Sequence, residues 1–520
     1  MDVKTLELAF HLHQQEKLDD AVRLYAEFLA ENPAHFDALH LMGLATYQCG
    51  RLEEAEGFFL QAITIKSDFA QIYSSYARML HDQKRFGEAI FCYEKAITID
   101  PDYAEAYCDR GLVLDELKRF DEAIASYDSA VALSSDYAMA YNNRGGSLKN
   151  LNRLADAVAS YDKAISINPA YALAYSNQGV ALKGLKRIED ALGNQEKSII
   201  LTPDYADAYW NKGLVLLLTG DFAQGWDLYE WRKKAKEPHG NRMFSKPVWL
   251  GAESLAGKTI LVHWEQGLGD SIQFCRYLSC LKDHGAEVLF APQRPLRGLM
   301  KNLDIACDIV DEADPSLAFD CHIPLLSLPL AFATDASHMP GRVPYLFAEK
   351  ARMARWRDRI GSQGFKIGVC WQGSTGAIDA GRSFSVRQFA ALSEIPGVRL
   401  ISLHKGDGEA QLRDLPDGLT VETMGADFDE GPEAFLDTAA AIMCCDLVIT
   451  SDTAVAHLAG ALGAETWIAL RHVPDWRWML EGEDSPWYPS MRLFRQQTDG
   501  DWNGVFERMR MALSARAPLM

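Results

Sequence analysis

The 520-residue sequence has no apolar run near the ~20 residues that cross a bilayer, no CxxC pair and no basic segment. A membrane-spanning helix is therefore not expected. The first residues, MDVKTLELAFHLHQQEKLDD, are amphipathic and carry acids. They lack the basic start and apolar core of a secretory signal. The ten cysteines are scattered, and the adjacent Cys444 and Cys445 do not suit a structural bridge. Reduced cysteines in a cytoplasmic protein are the expectation. Formal net charge is -20, near -10 on either side of residue 236. Counterion release at a polyanion needs clustered Lys and Arg, so nucleic acid is not expected as a ligand.

Three short stretches imitate known motifs without their context. GAESLAGKT, Gly251 to Thr259, has five residues between its glycines rather than four, and it precedes a strand where a phosphate loop follows one. DEAD at 311–314 has no partner motif and reads as a solvated loop. DFD at 427–429 has the spelling of a metal-binding Asp-x-Asp but sits in an acidic loop.

What the first part does contain is a period. Proline or a stand-in recurs at Pro33, Ser67, Pro101, Ser135, Pro169 and Pro203, every step 34 residues. Small residues keep the same step at Gly43, Ala77, Gly111, Gly145, Gly179 and Gly213, and again at Ala55, Ala89, Ala123, Ala157 and Ala191. Aromatics follow at Tyr73, Tyr107, Tyr141, Tyr175 and Tyr209, and at Phe59, Tyr93, Tyr127 and Tyr161. The pattern resembles the tetratricopeptide repeat (TPR). Two antiparallel helices approach where Gly and Ala remove side chains, and aromatics fill the gaps. Such units stack because none buries its apolar face alone. About six full units and a degenerate first one give an all-α superhelix over 1–236. One polar column also repeats, at Asp109, Asn143, Asn177 and Asn211. First helices line the concave face of such an array. An amide donates and accepts at once, so this ladder is a candidate holder of an extended peptide. Similar asparagines do this in the TPR-bearing O-linked N-acetylglucosamine transferases, although Asn is also a common consensus choice at this position.

After a linker at 237–257 the period changes. TILVHW and EVLFAP read as buried strands with amphipathic helices between them, giving a first Rossmann-like domain over 258–345. A connector at 346–364 contains the charged helix EKARMARWRDRI. FKIGVCW, GVRLISLH, DLVIT and ETWIAL then alternate with helices over 365–515, a second such domain. Alternating β and α implies parallel sheets covered on both faces, with ligand binding in the cleft at their strand ends.

Two turns in this region carry candidate chemistry. EQGLGDSIQF follows TILVHW, and Gly267 and Gly269 would let backbone approach a ligand at a helix start. Asp270 there is either an N-cap, with Gln273 completing a capping box, or a functional carboxylate. SDTAVAHLAGALG follows DLVIT. The amides of Thr453, Ala454 and Val455 would face a diphosphate, with His457 one turn on. The structural alternative makes Asp452 a cap and His457 a packing residue.

Together, GLGDSIQFCRYL and SDTAVAHLAGALG resemble the ADP-heptose:lipopolysaccharide heptosyltransferase family, two-domain GT-B glycosyltransferases. TPRs followed by this module and VPDWRWMLEGEDSPWYPSMRLFRQ are similar to bacterial TPR proteins described as glycosyltransferases. The resemblance implies that Asp270 is a general base. It implies that Asp452, Thr453, Ala454 and His457 cradle the donor of a nucleotide sugar, that Arg382 lies near its phosphates, and that Lys405, Gln372 and Gly373 line the cleft. QGLGD departs from the family, which commonly has a Ser/Gly-rich turn. The expected activity is metal-independent transfer of a sugar to an acceptor recruited by the array, with a protein as the expected acceptor or partner on its concave face. Two other readings stand beside it: a non-catalytic TPR scaffold, and an enzyme like the O-GlcNAc transferases.

Overall fold

The computed structural model describes residues 3–235, 242, 244–314, 316–337, 339–373 and 381–516. The chain divides into two compact units, Met1–Pro203 and Asp204–Met520. Among its described residues the first unit holds twelve helices, from Val3–Gln14 to Ile188–Leu201, in antiparallel pairs. A seventh pair, Ala206–Thr219 and Phe222–Tyr229, opens the second unit.

The pairing follows from the 34-residue step. A Cβ at Gly43, Gly111 or Gly145 would stand 2.6–2.7 Å from the ring of Phe59, Tyr127 or Tyr161. The small residue of one helix is thus the seat of the aromatic on the next. In the fifth such unit Gln195 replaces the aromatic over Gly179; it is buried, accepts from the Ser176 hydroxyl and donates to the Ser176 carbonyl, both at 2.9 Å. The turn between the helices of each pair has its own period. Glu16, Gly50, Lys84, Lys118, Asn152, Lys186 and Gly220 are all left-handed, with φ between 57° and 88°. At Lys118 this conformation swings the chain so that the Arg119 amide donates to the Leu114 carbonyl at 2.9 Å, closing the helix end.

In the second unit, β1 (Thr259–His263), β2 (Glu287–Ala291), β3 (Asp308–Ile309) and β4 (Cys321–Pro324) form a parallel sheet in the order β3-β2-β1-β4. A second parallel sheet comprises β5 (Phe365–Cys370), β6 (Val398–Ser402), β7 (Val421–Glu422), β8 (Leu447–Ser451), β9 (Thr466–Leu470) and β10 (Met491–Arg495). Its order is β10-β9-β8-β5-β6-β7. Counted within each sheet, both follow the doubly wound order, reversing direction between their first and fourth strands. Every residue of β8 and β9 is buried, as strands covered on both faces require. The helix Lys350–Ile360 stands between the two sheets in sequence. The short strands β3, β7 and β10 are not among the expected elements: β3 and β7 are two residues long, and β10 lies inside the aromatic segment quoted for its motif. The helix expected over SIQFCRYLSCLKDHG is interrupted by a 3₁₀ turn at Cys275–Tyr277.

Candidate functional site

In each sheet one of the two strands flanking the reversal ends in a turn singled out above. β1 runs into Glu265–Gly267, and β8 runs into Asp452–Thr453. These turns launch the helices Leu268–Phe274 and Ala454–Ala461, and the two helices abut. A Cβ on Gly269 would lie 2.9 Å from His457 Cδ2 and 3.4 Å from Ala454 Cα. Glycine at 269 is therefore needed for contact between the two motifs.

Neither aspartate caps as the simplest reading had it. Gly267 is the N-cap of the first helix, and Asp270 is its third helical residue. The Asp270 Oδ2 accepts from the Gly267 amide at 2.7 Å, so the box closes one residue-triplet earlier than Asp270–Gln273. The Asp270 Oδ1 accepts from Arg477 Nη2 at 2.5 Å. Gln273 instead accepts from Arg477 Nε at 2.9 Å. At the second helix Thr453 holds the N-cap position, with Asp452 one residue before it. The Thr453 and Thr450 hydroxyls lie 3.1 Å apart.

Arg477 is the hub of this arrangement. It is buried, and Asp475 accepts from its Nη1 at 2.8 Å. Burial pushes the Asp270 carboxyl above its ordinary value, against the pull of Arg477. Burial and the neighbouring Asp475 charge push Asp452 up to about 6. Burial, helped by the Arg477 charge, holds His457 neutral, its pKa lowered to about 3. The His457 ring stacks on Trp478 with centroids 5.2 Å apart, and its Nδ1 lies 3.1 Å from the Tyr488 hydroxyl.

The remaining sequence candidates are distributed around this centre. Arg382 lies over Gly373, where a Cβ would meet its guanidinium at 2.7 Å, and its charge is felt at Asp452 and His457. The Gly373 amide donates to the Ser383 hydroxyl at 3.3 Å. Gln372 accepts from Gln411 at 3.0 Å. The Lys405 ammonium donates to the Phe428 carbonyl at 2.8 Å and is committed there. In the DFD loop, Asp427 pairs with Arg355 and Arg359, and Asp429 accepts from the Asp437 amide and the Thr438 hydroxyl. Among the described residues no group of three or more His, Cys, Asp or Glu is placed to hold a metal ion.

On the repeats, Asp109 is half-buried and pairs with Arg78 at 2.9 Å. Asn177 donates to Asn142 at 3.0 Å, and Asn142 donates to Asn143 at 3.2 Å. Successive units are thus joined by side-chain amides, and Asn142, absent from the 34-residue column, is the link. Asn211 lies on Ala206–Thr219 in the second unit. Sequence reasoning missed Asn142, Arg477 and Asp475. An arginine set in the apolar and aromatic run VPDWRWML was the available signal for the last two.

A tetratricopeptide repeat family model matches residues 6–70 and 108–172, and a second TPR repeat model matches 77–118. The N-terminal helices are therefore TPRs, a fold that serves protein interaction. Protein FlbA of Caulobacter vibrioides is 27% identical over 321 residues, covering 58% of this chain and 53% of FlbA. The chain thus spans about half the length of the curated relative it matches. Among solved structures, MamA is 22% identical over 32% of this chain and 96% of its own, with a TM-score of 0.30. YrrB, described as a TPR protein with an unusual peptide-binding site, is 23% identical over 35% of this chain and 95% of its own, with a TM-score of 0.31. A TPR protein from Parabacteroides merdae is 16% identical over 45% of this chain and 93% of its own, with a TM-score of 0.39. No helix among the described residues is long and apolar enough to cross a membrane.

Proposed function

We propose that this chain is a protein-interaction scaffold whose TPR array takes an extended segment of a partner, joined to an α/β module that binds a nucleotide sugar. The scaffold reading rests on the TPR match of the N-terminal helices, with the half-buried Asn143 and Asn177 one repeat apart on first helices and linked through the buried Asn142. A peptide backbone alternates donors and acceptors, and side-chain amides match it. The test is capture of the partner protein by the full chain. Replacing Asn143, Asn177 and Asn211 together by Ala weakens capture while the circular dichroism of the chain is unchanged. Equal affinity of the triple variant returns the column to packing.

A second reading, glycosyl transfer by a GT-B module, is favoured by one observation: the contact of Gly269 with Ala454 and His457, which brings the two heptosyltransferase-like motifs to one place. In this reading the acceptor hydroxyl gives its proton to Asp270 as its oxygen bonds the anomeric carbon. The bond from that carbon to the diphosphate oxygen breaks, and the nucleoside diphosphate leaves with the electron pair. The first amides of Ala454–Ala461 and the Arg382 charge stabilise the departing anion. Arg477 balances Asp270 before the proton arrives. Each Asp270 oxygen accepts one hydrogen bond and keeps a second lone pair for the acceptor's proton, so transfer activity with a bound donor is the point on which the scaffold and the enzyme divide. A thermal-shift panel of ADP-, GDP- and UDP-sugars tests donor binding. A ligand at 100 times its Kd stabilises by about 2.7 kcal/mol. A binding donor that is neither hydrolysed nor transferred leaves the module a sugar-nucleotide sensor. No shift with any donor leaves the scaffold alone.

A further inference from the structure

In an open sheet of doubly wound order the ligand crevice lies where the strand order reverses. In the first sheet that place is between the ends of β1 and β4, and the chain fills it itself. Arg232, in the 3₁₀ turn Glu230–Lys233 that ends the last repeat pair, is fully buried there. Its Nε and Nη2 donate to the two carboxylate oxygens of Glu265 at 2.7 and 2.8 Å, a two-pronged pair with both side chains shut off from solvent. Its Nη2 also reaches the hydroxyl of Ser327, beyond β4, at 3.0 Å, and its Nη1 reaches Glu230 at 2.6 Å. Glu265 lies two residues past the end of β1 and five residues before Asp270. The next residue, Gln266, is left-handed at φ 60° and donates to the Tyr229 hydroxyl at 3.3 Å. The other half of the site is touched by the same helix pair. Trp226 and Tyr229 pack edge-on against Trp476, and the Leu480 amide donates to the Leu218 carbonyl at 3.0 Å.

A buried ion pair is a poor device for stability alone, since well-packed apolar side chains of similar volume often stabilise as much. What the guanidinium fork adds is direction. We propose that Arg232 is a positioning residue: through Glu265 it fixes the turn 265–270, so that the last repeat pair is a structural part of the candidate site. The inference rests on the location of that site at Asp270 but not on any particular ligand.

The experiment compares the full chain with the double variant Arg232→Met, Glu265→Leu and with Arg232→Lys. Hydrogen exchange is followed on peptides covering the turn 264–270 and on peptides covering β5 and β8. In the double variant the melting temperature stays within a few degrees of the parent while exchange in 264–270 rises at least tenfold and β5 and β8 are unchanged. Arg232→Lys, which keeps the charge and loses the fork, gives an intermediate rise. Should the double variant not fold, the Arg232→Lys exchange alone decides. Parent-like exchange at 264–270 in either folded variant overturns the proposal. Where a nucleotide sugar binds the parent, its affinity falls at least tenfold in the double variant. Absence of binding to the parent bears on the function proposed above and leaves the exchange result standing.

Discussion

Gly269 and His457, 188 positions apart in the sequence, meet so closely that no side chain fits between them: a Cβ on the glycine would stand 2.9 Å from the imidazole Cδ2. His457 is pinned by Trp478 and Tyr488 and has little room to yield. Gly269→Ala is expected to cost about 1–3 kcal/mol by overpacking, read as a lowered urea midpoint. A midpoint equal to the parent's would mean that the two helices do not abut in solution.

Repeat glycines divide into two kinds. Gly111 seats the Tyr127 ring, whereas Gly146, one residue after Gly145, has nothing within 4 Å of a built Cβ. Gly111→Ala is expected to destabilise by about 1–3 kcal/mol. Gly146→Ala is expected to stabilise by roughly 0.5–1 kcal/mol, the helix-propensity difference. Thermal unfolding of the two variants checks the contrast, which fails if both shift the same way.

Asp270→Asn is not silent for structure. With Asn, the carboxamide oxygen can serve either Arg477 or the Gly267 amide, and its NH₂ then faces the other donor. The loss of one charged hydrogen bond beside a buried guanidinium costs about 1–3 kcal/mol. Loss of sugar transfer in this variant therefore counts for a base only if its stability is measured alongside. Denaturant unfolding at neutral pH gives that figure, and an unchanged midpoint would show that Asp270 is not paired with Arg477.

Acid sensitivity should come from buried imidazoles. Burial, with help from His322 and Arg242, lowers His263 from 6.5 to about 3, and His457 is lowered to about 3 as well. The folded state holds these rings neutral while the unfolded state takes up protons below pH 6.5. Their contribution to stability is complete above pH 6.5 and is lost as pH falls from there toward 3, at up to about 1.4 kcal/mol per pH unit for each ring. His263→Leu should flatten the stability-against-pH curve in that window, and an unaltered slope would show that this ring is protonated in the folded state.

Left-handed turns offer a stabilising change. Lys118 sits at φ 58° where two of its six counterparts are glycine. Relief of the side-chain clash, about 1–2 kcal/mol, outweighs the entropy cost of glycine by a fraction of that. Lys118→Gly should raise the melting temperature by a few degrees, and a fall would count against a strained turn.

The repeats were legible because a 34-residue step repeats its chemistry in every unit, so each position is seen several times over. The strands of β1, β2, β5, β6, β8 and β9 were legible as apolar runs, whereas β3 and β7 are too short to show a pattern. The two motif turns were found, but their internal hydrogen bonding was not. Whether Asp270 caps or is capped depends on where the helix starts, and a shift of three residues moves the cap to Gly267. Arg477 could not be read because its partners Asp270 and Gln273 lie 207 and 204 positions away and only the fold unites them. Arg232 was hidden for a related reason. WRKKAK reads as the end of a terminal helix passing into a linker, and nothing local says that its arginine turns inward to Glu265.

The compact boundary at Pro203 assigns the last helix pair to the α/β unit. Ahead of it, the pairs repeat the same small and aromatic side chains at the same 34-residue step. Adding or removing a whole unit upstream of residue 204 would therefore change the length of the array and leave the contacts of the last pair with the α/β region as they are. The length of the array and the geometry of the turn before Asp270 are thus set by different parts of the chain.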